Sequence, residues 1–304
     1  MQKFYSNGKL LLSGEYLILD GAIGLALPTT YGQSMEVMTS KDHNELHWVS
    51  LDQNDKPWFE ASFRLADLSI INLKGDEQVA LALQKILTQA KMMGSDFLRS
   101  TEGRKVSTKL EFPSDWGLGS SSTLINNIAQ WAKVNAFSLL FDSFGGSGYD
   151  IACAQHDSAI LYQLNNHLPQ VQTVQFDPPF KDQIYFVHLN QKQVSRDSIN
   201  SYRSKKTGEK AIKRISALSE KLLNANNITD FNSYLKEHES ILASILETRP
   251  VQEKLFPDFG GQTKSLGAWG GDFIMATGDT STKEYFDQKG FHTVISYDSM
   301  IKTS

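Results

Sequence analysis

The stretch from Phe112 to Trp131, FPSDWGLGSSSTLINNIAQW, constrains this chain more than any other. It sets Gly117, Gly119 and a run of three serines, Ser120 to Ser122, between an alternating apolar run, KVSTKLEF, and a run with helical spacing. Glycine costs conformational entropy wherever it is ordered, so keeping it at a strand-to-helix junction needs a reason in the backbone. A glycine-rich loop leading into a helix supplies one. The first N–H groups of a helix have no intrahelical acceptor, and the helix dipole adds partial positive charge, so the junction makes a cradle for an anion. Gly117 and Gly119 let the backbone approach a phosphate closely, and Ser120, Ser121 and Ser122 bring hydroxyls that can donate or ligate a metal ion. No GK[ST] follows, so this is not a Walker loop. A tight turn with a serine cap accounts for the same letters equally well.

The rest of the chain shows what surrounds that junction. With 304 residues, 40% of them hydrophobic and 21% charged, it can bury a sizeable core. The net charge of −4 and the absence of a long single-sign run argue against nucleic acid or an anionic membrane as the main partner. Cys153 is the only cysteine, which excludes an intramolecular disulfide, and the seven histidines show no metal-binding spacing. The N-terminus lacks a signal-peptide pattern and no apolar run reaches membrane-spanning length, so the expectation is a cytoplasmic soluble protein. The first third reads mainly as strand, with apolar runs at Lys9–Leu12 and Tyr16–Leu19. The segment 76–94 reads as a helix closed by Gly94. From about Ser195 to Leu246 the spacing is helical, and the tail reads strand, glycine turn, strand, helix, strand. A shift from strand-rich to helix-rich composition near residue 165 suggests two domains, 1–165 and 166–304.

Three further stretches carry chemistry. GGSGYDIA (Gly145–Ala152) places an aspartate just inside a helix; a capping box, with Ser147 as cap and Asp150 reciprocating, explains it as well. SLGAWGGDF (Ser265–Phe273) reads alone as a hairpin turn. SNGKLLLSGEY (Ser6–Tyr16) sets Lys9 beside a strand, where a lysine is usually a solvated charge. In this order the four stretches resemble the signature motifs of the GHMP kinases. GKLLLSGEYLILDG resembles their N-terminal motif, PSDWGLGSSST their phosphate loop, GSGYD the segment carrying the catalytic aspartate of mevalonate kinases, and KSLGAWGGD their C-terminal glycine motif. The resemblance runs from Lys9 to Asp272, and GYDIA (Gly148–Ala152) is similar to the stretch that names one subgroup.

That resemblance implies an α+β, two-lobed fold: an N-terminal lobe like domain 2 of ribosomal protein S5, and a ferredoxin-like C-terminal lobe. It implies that Gly117, Leu118, Gly119, Ser120, Ser121 and Ser122 wrap the phosphates of ATP, with Ser121 ligating Mg2+. Asp150 would take the proton from the substrate hydroxyl, and Lys9 would sit near that hydroxyl and the moving phosphoryl group. Glu15, Tyr16, Ser147, Gly148, Arg196, Gly267, Ala268, Gly270 and Gly271 would shape or contact the substrate. Phosphoryl transfer fits such a set, because it needs positioning and cations on the moving charge and little covalent help. The implied activity is phosphorylation of a small acidic alcohol by a monomer or homodimer, with mevalonate ahead of phosphomevalonate. Diphosphomevalonate decarboxylase chemistry and a catalytically silent ATP-binding regulator are the alternatives. Some positions depart from the pattern. Leu139 stands where mevalonate kinases carry a glutamate magnesium ligand, with Asp142 the nearest acid. Tyr16 replaces a common histidine, and Trp269 and Asp272 replace the usual glycine and cysteine of the last motif. GEY and the GGD ending are both more like phosphomevalonate kinases. Lys192, Ser195, Arg196 and Arg203 could meet an acidic substrate or begin a solvated helix.

Overall fold

The apolar run Lys9–Leu12 lies in the first of two long strands, β1 (Gln2–Ser13) and β2 (Gly24–Ser40), in a computed structural model that describes residues 1–191, 202–205, 207–267, 269 and 272–303. The chain divides into two compact units, one of Met1–Gly8, Tyr31–Ser114 and Gly119–Gln155, the other of Lys9–Thr30, Asp115–Leu118 and His156–Ser304. Both long strands contribute to each unit: β1 passes over at Gly8–Lys9 and β2 at Thr30–Tyr31.

In the first unit, β3 (Glu45–Leu51), β4 (Pro57–Arg64), β5 (Ile70–Lys74) and β6 (Gly103–Leu110) line up in the order β5-β4-β3-β6-β2. Strand β3 runs parallel to β6, and the other pairs are antiparallel. Side chains alternate as a pleated strand requires, so Leu46, Trp48 and Ser50 of β3 all point inward. The helices are α1 (Glu77–Met93), α2 (Ser120–Ala132), α3 (Ala136–Ser143) and α4 (Tyr149–Gln155). Helix α1 opens on Asp76, whose side chain accepts from the Gln78 N–H, and closes at Gly94 as its spacing predicts. It buries Ala80, Leu83, Ile86, Leu87 and Ala90, one helical stripe. These meet Trp48, Phe59, Phe63, Ile125, Ile128, Leu139 and Ile151 in one core, where each large aliphatic side chain contributes about 1.5–3 kcal/mol relative to exposure.

In the second unit, β7 (Ile160–Asn165) and β8 (Leu168–Thr173) form a hairpin that pairs with Gly24–Ala26 of β2. The change in composition near residue 165 is the turn of this hairpin. Then come β9 (Ile184–His188), α5 (Glu209–Leu223), α6 (Ile228–Leu246), α7 (Val251–Leu255), β10 (Gln262–Ser265), β11 (Phe273–Thr277), α8 (Thr282–Gln288), β12 (Val294–Ser296) and α9 (Tyr297–Met300). Their sheet has the order β10-β11-β9-β12 and is antiparallel throughout. Strand, helices, two strands, helix, strand in that order is the ferredoxin-like arrangement. The Tyr16–Leu19 run differs from its strand-like reading. It forms a short 3-10 helix, Leu17–Asp20, because Gly14 and Tyr16 take left-handed angles (φ 95 and 61) and turn the chain out of β1.

Candidate active site

The glycine loop and the helix after it belong to different units, and each is anchored within its own. In the first unit α2 starts at Ser120 with Gly119 as its cap, at φ 89 and ψ 40. Glycine takes such left-handed angles without a Cβ penalty. The Thr123 N–H (3.0 Å) and the Ser122 hydroxyl (2.8 Å) both donate to the Gly119 carbonyl. The Ser122 hydroxyl is thus turned onto the loop and buried, while Ser120 is half-buried and Ser121 exposed. No acidic residue occupies the first turn of α2, so its dipole is not already compensated there.

Beneath this turn runs a buried polar network that sequence reasoning missed. Ser6 donates to Asn127 Oδ1 and accepts from Asn126 Nδ2, both at 2.8 Å, and Asn127 Nδ2 donates to the Gln33 carbonyl (2.9 Å). Gln155 Nε2, at the end of α4, donates to Asn126 Oδ1 (2.9 Å). The network therefore ties α4, which carries Asp150, to α2. Asparagines within an apolar helix pattern were the available signal, since a buried amide needs partners.

Asp150 is half-buried at the second position of α4. Gly148, at φ 88, precedes the helix, and its carbonyl accepts from the Ala152 N–H (3.1 Å). Gly148 is therefore the cap, and the capping-box register of Ser147 with Asp150 is displaced by one residue; Ser147 is buried before the cap. At a second helical position the dipole favours a carboxylate.

In the second unit Lys9 grips the loop twice. Its N–H donates to the Leu118 carbonyl (3.0 Å) and its Nζ to the Gly117 carbonyl (2.7 Å). Trp116 packs edge-on against Phe273 (5.3 Å between ring centroids), and the His188 ring lies 3.2 Å from the Asp115 carbonyl. Gly117 has φ 65 and touches the Asp272 carboxylate.

Glu15 sits in a wholly buried cluster with Lys264, Glu239 and His238. Lys264 Nζ pairs with Glu15 Oε1, donates to the Ser265 carbonyl (2.7 Å) and lies 3.9 Å from Glu239 Oε1. His238 Nε2 accepts from the Gly14 N–H (3.1 Å) and lies 3.3 Å from Glu15 Oε2. Burial pushes the Glu239 carboxyl up to about 8, against the opposing pull of Lys264. Burial also raises Glu15, opposed by Lys264, and together with the charge of Lys264 it holds His238 well below its usual range. Glu15 was legible from its motif, but its partners were not, since Lys264 lies 249 residues away.

Tyr16 is buried, stacks on Tyr202 (5.3 Å) and accepts the Trp269 N–H at its hydroxyl (3.2 Å). Gly267 is left-handed at φ 61, and Arg203 is exposed. Lys192, Ser195, Arg196, Ala268, Gly270 and Gly271 lie outside the described residues. Among the described residues no group of three or more His, Cys, Asp or Glu could hold a metal ion, and no helix is long and apolar enough to cross a membrane. Leu139 is buried in the first unit's core, and Asp142, exposed, accepts from Gln89 Nε2 (3.1 Å).

No family model matches the sequence, and no curated protein does. Solved structures do resemble it. The mevalonate kinase of Methanococcus jannaschii is 14% identical with a TM-score of 0.71, over 100% of this chain and 98% of that one. The Streptococcus pneumoniae phosphomevalonate kinase in complex with phosphomevalonate and AMPPNP is 16% identical with a TM-score of 0.71, over 97% of this chain and 100% of that one. The Lactococcus lactis galactokinase complexed with galactose is 14% identical with a TM-score of 0.70, over 100% of this chain and 94% of that one. At these identities the likeness is one of fold, and the three enzymes differ in the substrates they are named for.

Proposed function

We propose that this chain, which has the fold of the GHMP kinases, is an ATP-dependent phosphotransferase acting on a small acidic alcohol, with mevalonate the first choice. The observation that carries this reading is the double grip of Lys9 on the glycine loop, through its main chain on Leu118 and its ammonium on Gly117. A lysine held there places positive charge against the backbone that would face a polyphosphate, which a plain turn does not need.

In this reading the loop from Gly117 to Ser122 cradles the ATP phosphates with main-chain N–H groups at the start of α2. Asp150 orients the acceptor hydroxyl and takes its proton as the oxygen bonds to the γ-phosphorus and the bond from that phosphorus to the bridging β–γ oxygen breaks, releasing ADP. Lys9 balances charge on the transferring group. The donors present fit magnesium carried by ATP rather than a metal caged by protein, with Ser121 the hydroxyl available to it; when bound, magnesium neutralises phosphate charge. Glu15 acts from the interior, holding the turn after β1.

A second reading, phosphorylation of phosphomevalonate, is favoured by Tyr16 and Asp272, which depart from the mevalonate kinase pattern toward the GEY and GGD of phosphomevalonate kinases. A screen of ATP consumption with mevalonate, phosphomevalonate, diphosphomevalonate, homoserine and sugars decides between them. Turnover is expected with mevalonate. Preference for phosphomevalonate selects the second reading, carbon dioxide release from diphosphomevalonate selects a decarboxylase, and ATP binding without turnover of any acceptor selects a silent regulator.

A further inference from the structure

The Asp272 carboxylate has no part in the chemistry described so far, yet it leans directly on the glycine loop. Its backbone is left-handed, φ 52, a region that L residues other than asparagine and aspartate rarely enter. It is fixed on both sides, for its N–H donates to the Gln191 carbonyl (2.7 Å) and its carbonyl accepts from the Leu189 N–H (2.8 Å). The chain after β9 thus clamps the residue in an uncommon conformation. Its carboxylate covers Gly117 so closely that a Cβ on that glycine would stand 2.4 Å from Oδ2 and 2.5 Å from Cγ. Lys9 Nζ holds the carbonyl of the same glycine at 2.7 Å. A cation and a carboxylate therefore flank one peptide of the loop.

A fixed carboxylate at a polyphosphate site is a liability if the nucleotide arrives bare, because like charges repel strongly where water is displaced. It becomes an asset if a divalent cation stands between, since magnesium is typically bound by one or two carboxylates together with substrate phosphates and water. Position 139, where mevalonate kinases carry an acidic ligand, holds Leu139, an apolar core residue, and the nearest acid in sequence, Asp142, has its carboxylate accepting from Gln89 on α1.

We propose that Asp272 makes nucleotide binding conditional on a divalent cation, by facing the metal carried on the ATP phosphates, directly or through one of its waters, and by repelling metal-free nucleotide. This rests on reading Gly117–Ser122 as a nucleotide-phosphate loop. Lys9 also brings a charge to Gly117, and a carboxylate serving only as its counter-ion would shift metal-free and metal-loaded binding alike.

The test is calorimetric titration of the full chain with AMPPNP, once in excess magnesium chloride and once in excess EDTA. The wild-type protein is expected to bind the magnesium complex about tenfold or more tightly than the free nucleotide, an ordinary coupling between linked ligands. Asp272→Asn keeps the size and the left-handed tolerance and removes the charge. It should tighten metal-free binding, weaken metal-loaded binding and bring the ratio close to one. Asp272→Gly serves if the asparagine variant does not fold. Asp142→Asn, the control, should keep the wild-type ratio. Electron paramagnetic resonance of manganese gives a second readout, with less of the ion retained by the AMPPNP complex of the variant. An unchanged ratio in Asp272→Asn, or equal shifts of both affinities, overturns the inference while leaving the loop reading intact. A wild-type protein that binds AMPPNP under neither condition overturns both.

Discussion

Asp150 and Gly117 carry the sharpest consequences at the scale of single residues. Asp150→Asn removes basicity and charge but keeps the shape. Turnover should fall about 10²-fold or more, the scale of general-base loss, with AMPPNP affinity nearly unchanged. A residue that only helped to start α4 would instead lose at most about 1 kcal/mol of stability and keep its turnover, so melting temperature and turnover on one variant separate the roles. Gly117→Ala forces a Cβ into the left-handed region, at about 1–2 kcal/mol, and against the Asp272 carboxylate. Lower urea stability and weaker nucleotide binding should appear together. An alanine variant with wild-type values for both would mean that the close approach is not needed. Of the candidate residues, the loop glycines, Lys9 and Asp150 could be picked from the sequence because their motifs are short and local. Gln155 and Lys264 could not, because what makes each matter is a partner on another element.

At the scale of elements, the buried cluster joins β10, α6 and the turn after β1. Lys264→Met would leave two carboxyl groups buried without their cation and should cost about 3–5 kcal/mol, the usual result of removing one partner of a buried pair. Adding Glu15→Gln should recover part of that loss. The same cluster sets a pH dependence. Glu239 is raised to about 8 from 4.5, so between those values the folded chain holds a proton that the unfolded chain has released, and this stabilisation is lost as pH rises toward 8. His238 is depressed below 6.5, so its contribution rises with pH and is complete above 6.5. Glu15 is raised like Glu239 and acts in the same direction. Unfolding free energy should therefore fall between pH 6.5 and 8, and Glu239→Gln should flatten that fall. A Glu239→Gln protein with the wild-type slope would show that the carboxyl is already ionised. Periodicity revealed α1 and β6, whose apolar stripe or alternation lies within one segment. It misread Tyr16–Leu19, because an apolar run of four residues does not distinguish a strand from a single helical turn.

For the whole molecule, the order of motifs from Lys9 to Asp272 and the strand–helix sequence of the second unit were legible as a GHMP-like arrangement, and the fold agrees. The division into units was harder to read. β1 and β2 each run from one unit into the other as a single continuous strand, and a composition shift marks only where helices become frequent. The acceptor was also beyond reach, since Ser147, Gly148 and Gly267, which would meet it, lie outside helices and strands, and the similar folds are named for different substrates. The most direct measurement for the kinase reading is 31P NMR of the protein with magnesium, ATP and mevalonate. The account predicts loss of the γ-phosphate resonance with growth of ADP and one new phosphomonoester resonance, abolished or slowed about 10²-fold in Asp150→Asn. The same phosphomonoester forming at the wild-type rate in Asp150→Asn would contradict it.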